Sequence, residues 1–199
     1  MGIVFGITGT KEPTFNILSN SNGYQIRSYQ KYFIAEVNSS NDDNGFRILA
    51  KYIGVFGKPE NVLQKPMDMT APVIIDQNQS KKLSMTSPVI SSDKKMSFVL
   101  PFEFNSLEEI PKPTNKDVSI RLVPEKVVAV DSFSGWYTDS IGEEKLQNLC
   151  KNLKRDGILK SEQPKWHVAQ YHPPFTIPFL RRNEIWVELS ETDYKPTQI

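Results

Sequence analysis

Few side chains in this sequence are placed to do chemistry. His167 and His172 are the only histidines, and neither has a Cys, Asp or Glu at a spacing that would build a structural zinc site. Each reads more simply as an ordinary strand or loop histidine. The single cysteine, Cys150, falls on the apolar stripe of a lysine-rich helical segment, where a thiol is buried and inert. The acidic pairs Glu108, Glu109 and Glu143, Glu144 read as solvated charges, the second pair favoured by a helix start. No G-x-S-x-G elbow, P-loop or dinucleotide fingerprint occurs. These residues give no argument for an enzyme.

The elements that would carry them belong to one domain. With 199 residues, 38% hydrophobic and 24% charged, the chain suits one large core, expected over 23–189 with an extension at 1–22 and a tail at 190–199. Its 24 basic and 23 acidic residues are spread along the chain, so no field concentrates for a phosphate backbone and a nucleic-acid partner is not expected. Met1–Thr10 lacks the basic flank and long apolar core of a signal peptide, and no window suits a membrane span. One cysteine permits no intrachain disulfide, which agrees with a reducing compartment, and the expected localisation is cytoplasmic.

After a loop-like start, alternating apolar residues in 23–29 and 31–37 predict a hairpin. A first helix is predicted over 45–57, stopped by Gly57 and Pro59, and strands are predicted near 67–75, 83–90 and 96–101. A second hairpin follows at 118–123 and 126–133. Next come a helix over 139–156, with a Ser140 and Glu143 capping box, and strands at 166–171 and 184–189. The order repeats, which predicts an α+β fold: a distorted antiparallel β-barrel built from two ββαββ-like repeats with two flanking helices.

The two helices differ. The second shows a narrow stripe of Leu146, Leu149, Cys150 and Leu153, as for a helix buried on one side. On the first, Arg47, Lys51 and Gly54 form the only non-apolar sector, so a sheet alone would leave apolar surface uncovered. Either a loop covers it or it is one wall of an apolar cleft. The segment YHPPFTIPFL at 171–180 could be that lid or the opposite wall. In the cleft reading Phe46, Ala50, Ile53, Phe175 and Ile177 line the space, while Ile48, Leu49, Tyr52 and Phe56 face the sheet.

One pattern is more specific. MDMTAPV at 67–73 returns as LSMTSPV at 83–89. With GYQIRSY at 23–29, LAKYIGVFG at 49–57, FVLP at 98–101, FSGW at 133–136, YHPP at 171–174 and RRNEIW at 181–186, it resembles the SOUL haem-binding protein family over about 23–189. The resemblance implies non-catalytic binding of haem or protoporphyrin against the first helix and the loop before the last strand. Carried over, the positions are Phe46, Ala50 and Lys51 on the helix and Thr176 on the loop, with Phe175 and Ile177 beside it; Ile53 joins them from the cleft reading. Lys51 would meet a propionate. Relatives often carry methionine at the first two positions and lysine where Thr176 stands, so this site would be less basic. The axial histidine proposed in one branch falls on Ser28, which leaves His172 as the one candidate iron ligand. Some relatives are assigned a BH3-like segment in the second helix, aligned with LCKNLKRDG at 149–157. A cell-death or other protein-interaction role therefore stays open, as does binding of another apolar small molecule.

Overall fold

The computed structural model describes residues 9–39, 42–77, 94–173, 175–190 and 192–194. Strands β1 (Phe15–Ser21), β2 (Tyr24–Tyr29) and β3 (Tyr32–Asn38) precede α1 (Asp42–Ile53). Then follow β4 (Val73–Asp76), β5 (Lys95–Val99), β6 (Val118–Val123), β7 (Lys126–Phe133), α2 (Asp139–Arg155), β8 (Trp166–Gln170) and β9 (Asn183–Leu189). The strands form one curled antiparallel sheet in the order β1-β2-β7-β9-β8-β4-β5-β3-β6. Its edges are β1 and β6, and no ladder joins them among the described residues, so the sheet is a half-barrel rather than a closed barrel.

Neither predicted hairpin forms. β2 pairs with β1 and β7, and β3 pairs with β5 and β6. The reason lies in the links. Two-residue hairpin turns need positive φ, which Gly, Asn or Asp supply, whereas these links are Gln30-Lys31 and Pro124-Glu125, and proline holds φ near −65°. Each strand pair therefore opens, and β2 and β6 are exchanged between the halves of the sheet.

Other boundaries move for local reasons. The loop-like start contains β1, whose Phe15 ring lies 5.1 Å from that of Tyr29. Of the strand predicted at 67–75 only Val73–Asp76 joins the sheet. The residues before it are tied singly, through Met67 N–H to the Ile53 carbonyl and Ala71 N–H to the Lys11 carbonyl. Its predicted partner at 83–90 lies outside the described residues. α1 ends earlier than predicted, at Ile53, because Gly54 takes φ +92°. A Cβ there would also stand 2.7 Å from the Pro59 ring. α2 is capped by Thr138, whose hydroxyl accepts from Ile141 N–H at 3.3 Å, and not by Ser140.

Alternation along the strands divides the side chains between two faces. In β9, Ile185 and Val187 join the main core under the helices with Leu49, Tyr52, Leu149 and Leu153. Trp186 points the other way, into a second core with Tyr29, Tyr32, Val128, Val130 and Tyr171. The N-terminal segment adds Phe15 to that second core. A chain beginning at Asn22 should therefore lose at least about 2 kcal/mol of stability in urea unfolding, because it removes a strand and an aromatic contact. Unchanged stability would show that β1 is dispensable.

Candidate functional site

The residues singled out for ligand binding fall into two clusters, each anchored to the sheet. On α1, Phe46 is half-buried with its ring edge-on to Phe98 at 5.2 Å. Ala50 and Ile53 are buried in the main core with Leu49 and Tyr52, so they do not line an open cleft. Phe56 is exposed and does not face the sheet. The cause is the early helix end together with the chain that folds back over it. Glu60 N–H donates to the Lys51 carbonyl and Met67 N–H to the Ile53 carbonyl, closing over the apolar arc. Lys51 lies at the rim, its Nζ 3.7 Å from Glu60.

The second cluster is the segment 171–182. Tyr171 N–H donates to the Arg182 carbonyl, and Gly135 N–H donates to the Pro178 carbonyl at 2.9 Å. Arg181 donates from Nε to the Thr176 carbonyl at 2.9 Å and places its guanidinium 3.6 Å from the Trp136 ring centre. Thr176 is thereby buried and Ile177 half-buried, while Phe175, Phe179 and Trp136 are left exposed. His172 accepts from Arg182 N–H through Nδ1 at 3.0 Å. In the neutral ring that bond puts the proton on Nε2, where an iron ligand needs a lone pair.

Two polar clusters were invisible to the sequence reading. Glu184 is 1% exposed on the second face, and its carboxylate accepts from Arg27 at 3.1 and 3.2 Å, from Tyr171 Oη and Trp186 Nε1 at 2.7 Å, and from Ser132 at 3.2 Å. Burial raises the Tyr29 and Tyr171 hydroxyls, Tyr29 to about 12, so both stay neutral beside the charged pair. Nearby, His167 sets Nδ1 2.5 Å from Asp76 and Nε2 2.7 Å from Glu188, with Lys126 3.0 Å from Glu188. Carboxylates only accept, so each ring nitrogen is placed to donate. The one available signal was the alternation Glu184, Trp186, Glu188 in a strand with a buried opposite face.

These groups serve structure. No set of three or more His, Cys, Asp or Glu that could hold a metal is found among the described residues. Burial raises the Cys150 thiol, and Leu149 and Leu153 of the BH3-like segment point into the core. No helix among the described residues is long and apolar enough to cross a membrane.

The model of the SOUL heme-binding protein family matches residues 10–188. The chain belongs to this family. Heme-binding protein 2 of Homo sapiens and of Mus musculus are each 31% identical to it over 170 residues, covering 82% of this chain and 77% of theirs. Among solved structures, the C-terminal domain of EcmrR (TM-score 0.53, 12% identity) is covered to 96% by 84% of this chain. In the EcmrR–DNA complex the chain spans 59% of the EcmrR chain, with a TM-score of 0.55. A hydrolase from Listeria innocua (TM-score 0.54, 9% identity) is covered to 94% by 86% of this chain. At these identities the structures share the fold alone.

Two outcomes follow from the geometry. Burial alone would raise the Asp76 and Glu188 carboxyls, but hydrogen bonding to His167 and the neighbouring positive charge outweigh it and hold both below the usual carboxylate range. Their contribution should be complete above about pH 4.5 and lost progressively as pH falls. His167→Asn should flatten that acid limb in urea titrations; an identical limb would remove the network from the account. Ala50→Trp should cost about 1–3 kcal/mol or more by overpacking the core, and a neutral effect would return Ala50 to an open cleft.

Proposed function

We propose that this chain binds haem or a related tetrapyrrole and holds it, as a buffer or carrier, without catalysis. The observation that carries the reading is the exposure of large apolar rings on a braced loop: Phe175 at 64%, Phe179 at 73% and Trp136 at 57%. A family member with a haem-binding match and such a surface has a platform for a flat macrocycle. The site consists of Phe46 and Lys51 at the rim of α1, Phe175 and Ile177 on the loop, Ala50 and Ile53 packed behind as the floor, and the Thr176 backbone as the brace. Lys51 meets a propionate when it leaves Glu60. The strand order, which reads alike from either side of the β4-β8 pair once β1 is set aside, supports descent of the fold from two ββαββ units. The near-neutral charge favours a cytoplasmic small-molecule partner over nucleic acid.

Iron needs no ligand from the protein in this reading. His172 is held in the wrong tautomer, and both nitrogens of His167 face carboxylates. Burial of a few hundred Å² of macrocycle at roughly 25 cal/mol per Å² gives several kcal/mol before ordering costs, enough for micromolar affinity.

Absorbance titration should show metal-free protoporphyrin binding within about tenfold of haem, with Phe175→Asp at least about tenfold weaker for both and unchanged in thermal midpoint. If haem binds far more tightly and His172→Ala abolishes the difference, axial ligation from the loop replaces the contact mechanism.

A further inference from the structure

We propose that the connection from Gly54 to Lys65 docks on an anionic membrane surface. Within these twelve residues Val55 is 46% exposed, Phe56 59%, Val62 64% and Leu63 67%, a concentration of apolar side chains in water that a surface loop does not require. Val62 and Leu63 occupy the two middle positions of a turn closed by Gln64 N–H to the Asn61 carbonyl at 2.9 Å, places where polar or small residues are the norm.

The loop cannot fold these side chains inward, because its backbone is fixed from below. Asn61 is 1% exposed, donates from Nδ2 to the carbonyls of Tyr52 (3.2 Å) and Lys65 (2.8 Å), and accepts from Lys65 N–H at 3.1 Å. Val62 N–H donates to the Lys112 carbonyl at 2.9 Å, and Thr114 donates to the Glu60 carbonyl from both its N–H and its hydroxyl. Tyr52 Oη reaches the Pro111 carbonyl at 2.7 Å. The braced backbone thus presents Val62 and Leu63 outward, which reduces the ordering cost of docking.

Charge selects the occupant. Lys51 and Glu60 offset one another at 3.7 Å. Lys58, Lys65 and Lys112 are exposed and have no acidic partner among the described residues. An apolar tip in a loop that carries Lys58 and Lys65, with Lys112 bonded to it through its carbonyl, matches the boundary of an anionic bilayer, where chains enter the acyl layer and ammonium groups meet lipid phosphates. The loop adjoins the α1 end of the tetrapyrrole contacts proposed above through the Lys51–Glu60 pair, but the side chains altered below are not among those contacts, so the two readings can fail separately.

The test is sedimentation of the full chain with vesicles of phosphatidylcholine alone or with about 30% phosphatidylserine. Binding to the anionic vesicles alone, weakening as salt rises from about 0.1 to about 0.5 M, is expected. Val62→Asp with Leu63→Asp should weaken it at least about tenfold, and Lys58→Gln with Lys65→Gln and Lys112→Gln should remove the lipid preference. Thermal midpoint and protoporphyrin titration should be unchanged in both variants, since the altered side chains are exposed. The proposal is overturned if neither vesicle sediments the protein or if the double aspartate variant binds as before. It is also overturned if that variant changes only the oligomeric state, which makes the loop a self-association surface, or only porphyrin affinity, which assigns the loop to the ligand site.

Discussion

A carboxylate sealed from water has to be met by donors, and Glu184 is the place where this requirement organises the fold. Its five donor contacts come from β2, β7, β8 and β9 or their ends, so the requirement is satisfied only when those strands hold their observed register. Such a pair contributes little net stability over an apolar replacement, but losing one partner costs about 3–5 kcal/mol. It therefore specifies register more than it adds stability. The consequences spread outward. Arg27 carries Phe15 over its guanidinium at 4.4 Å, which seats β1. Arg182 pairs with Glu12 and lies over the Tyr171 ring, which ties the N-terminal segment to the loop bearing Phe175.

The two faces of the sheet are thus stabilised differently. Under the helices the packing is mainly apolar, and α1 and α2 are held by burial of Leu49, Tyr52, Leu149 and Leu153. On the other face an aromatic core surrounds hydrogen-bonded polar groups, from Arg27 and Glu184 at one end to Asp76, His167 and Glu188 at the other. That arrangement leaves the exposed rings of the 171–182 loop as one apolar surface beside a hydrogen-bonded support.

Much of this was legible. Periodicity identified both helices and most strands, and the single-sided stripe of α2 matches its buried leucines. What was not legible depended on partners distant in sequence. Strands adjacent in sequence do not pair at Gln30-Lys31 and Pro124-Glu125, because these links lack the turn chemistry of a two-residue hairpin. Ala50 and Ile53 read as cleft wall because the chain at 59–67 that covers α1 has no hydrophobic period of its own. Glu184 and Arg27 fall in the segments RRNEIW and GYQIRSY, but nothing local shows that they pair across 157 residues, and His167 lies in no such segment. The family pattern, by contrast, was carried by short ordered segments and needed no tertiary knowledge.

We propose that the macrocycle lies on the side of α1 and the 171–182 loop, against a support that does not itself rearrange. Amide chemical-shift mapping of the labelled chain with metal-free protoporphyrin tests it most directly. Perturbations should concentrate at 46–53 and 171–181, with the indole N–H of Trp186 and the backbone around Glu184 unmoved. Shifts centred on Trp186, His167 and Tyr29 instead would place the ligand in the half-barrel's second face and contradict the account.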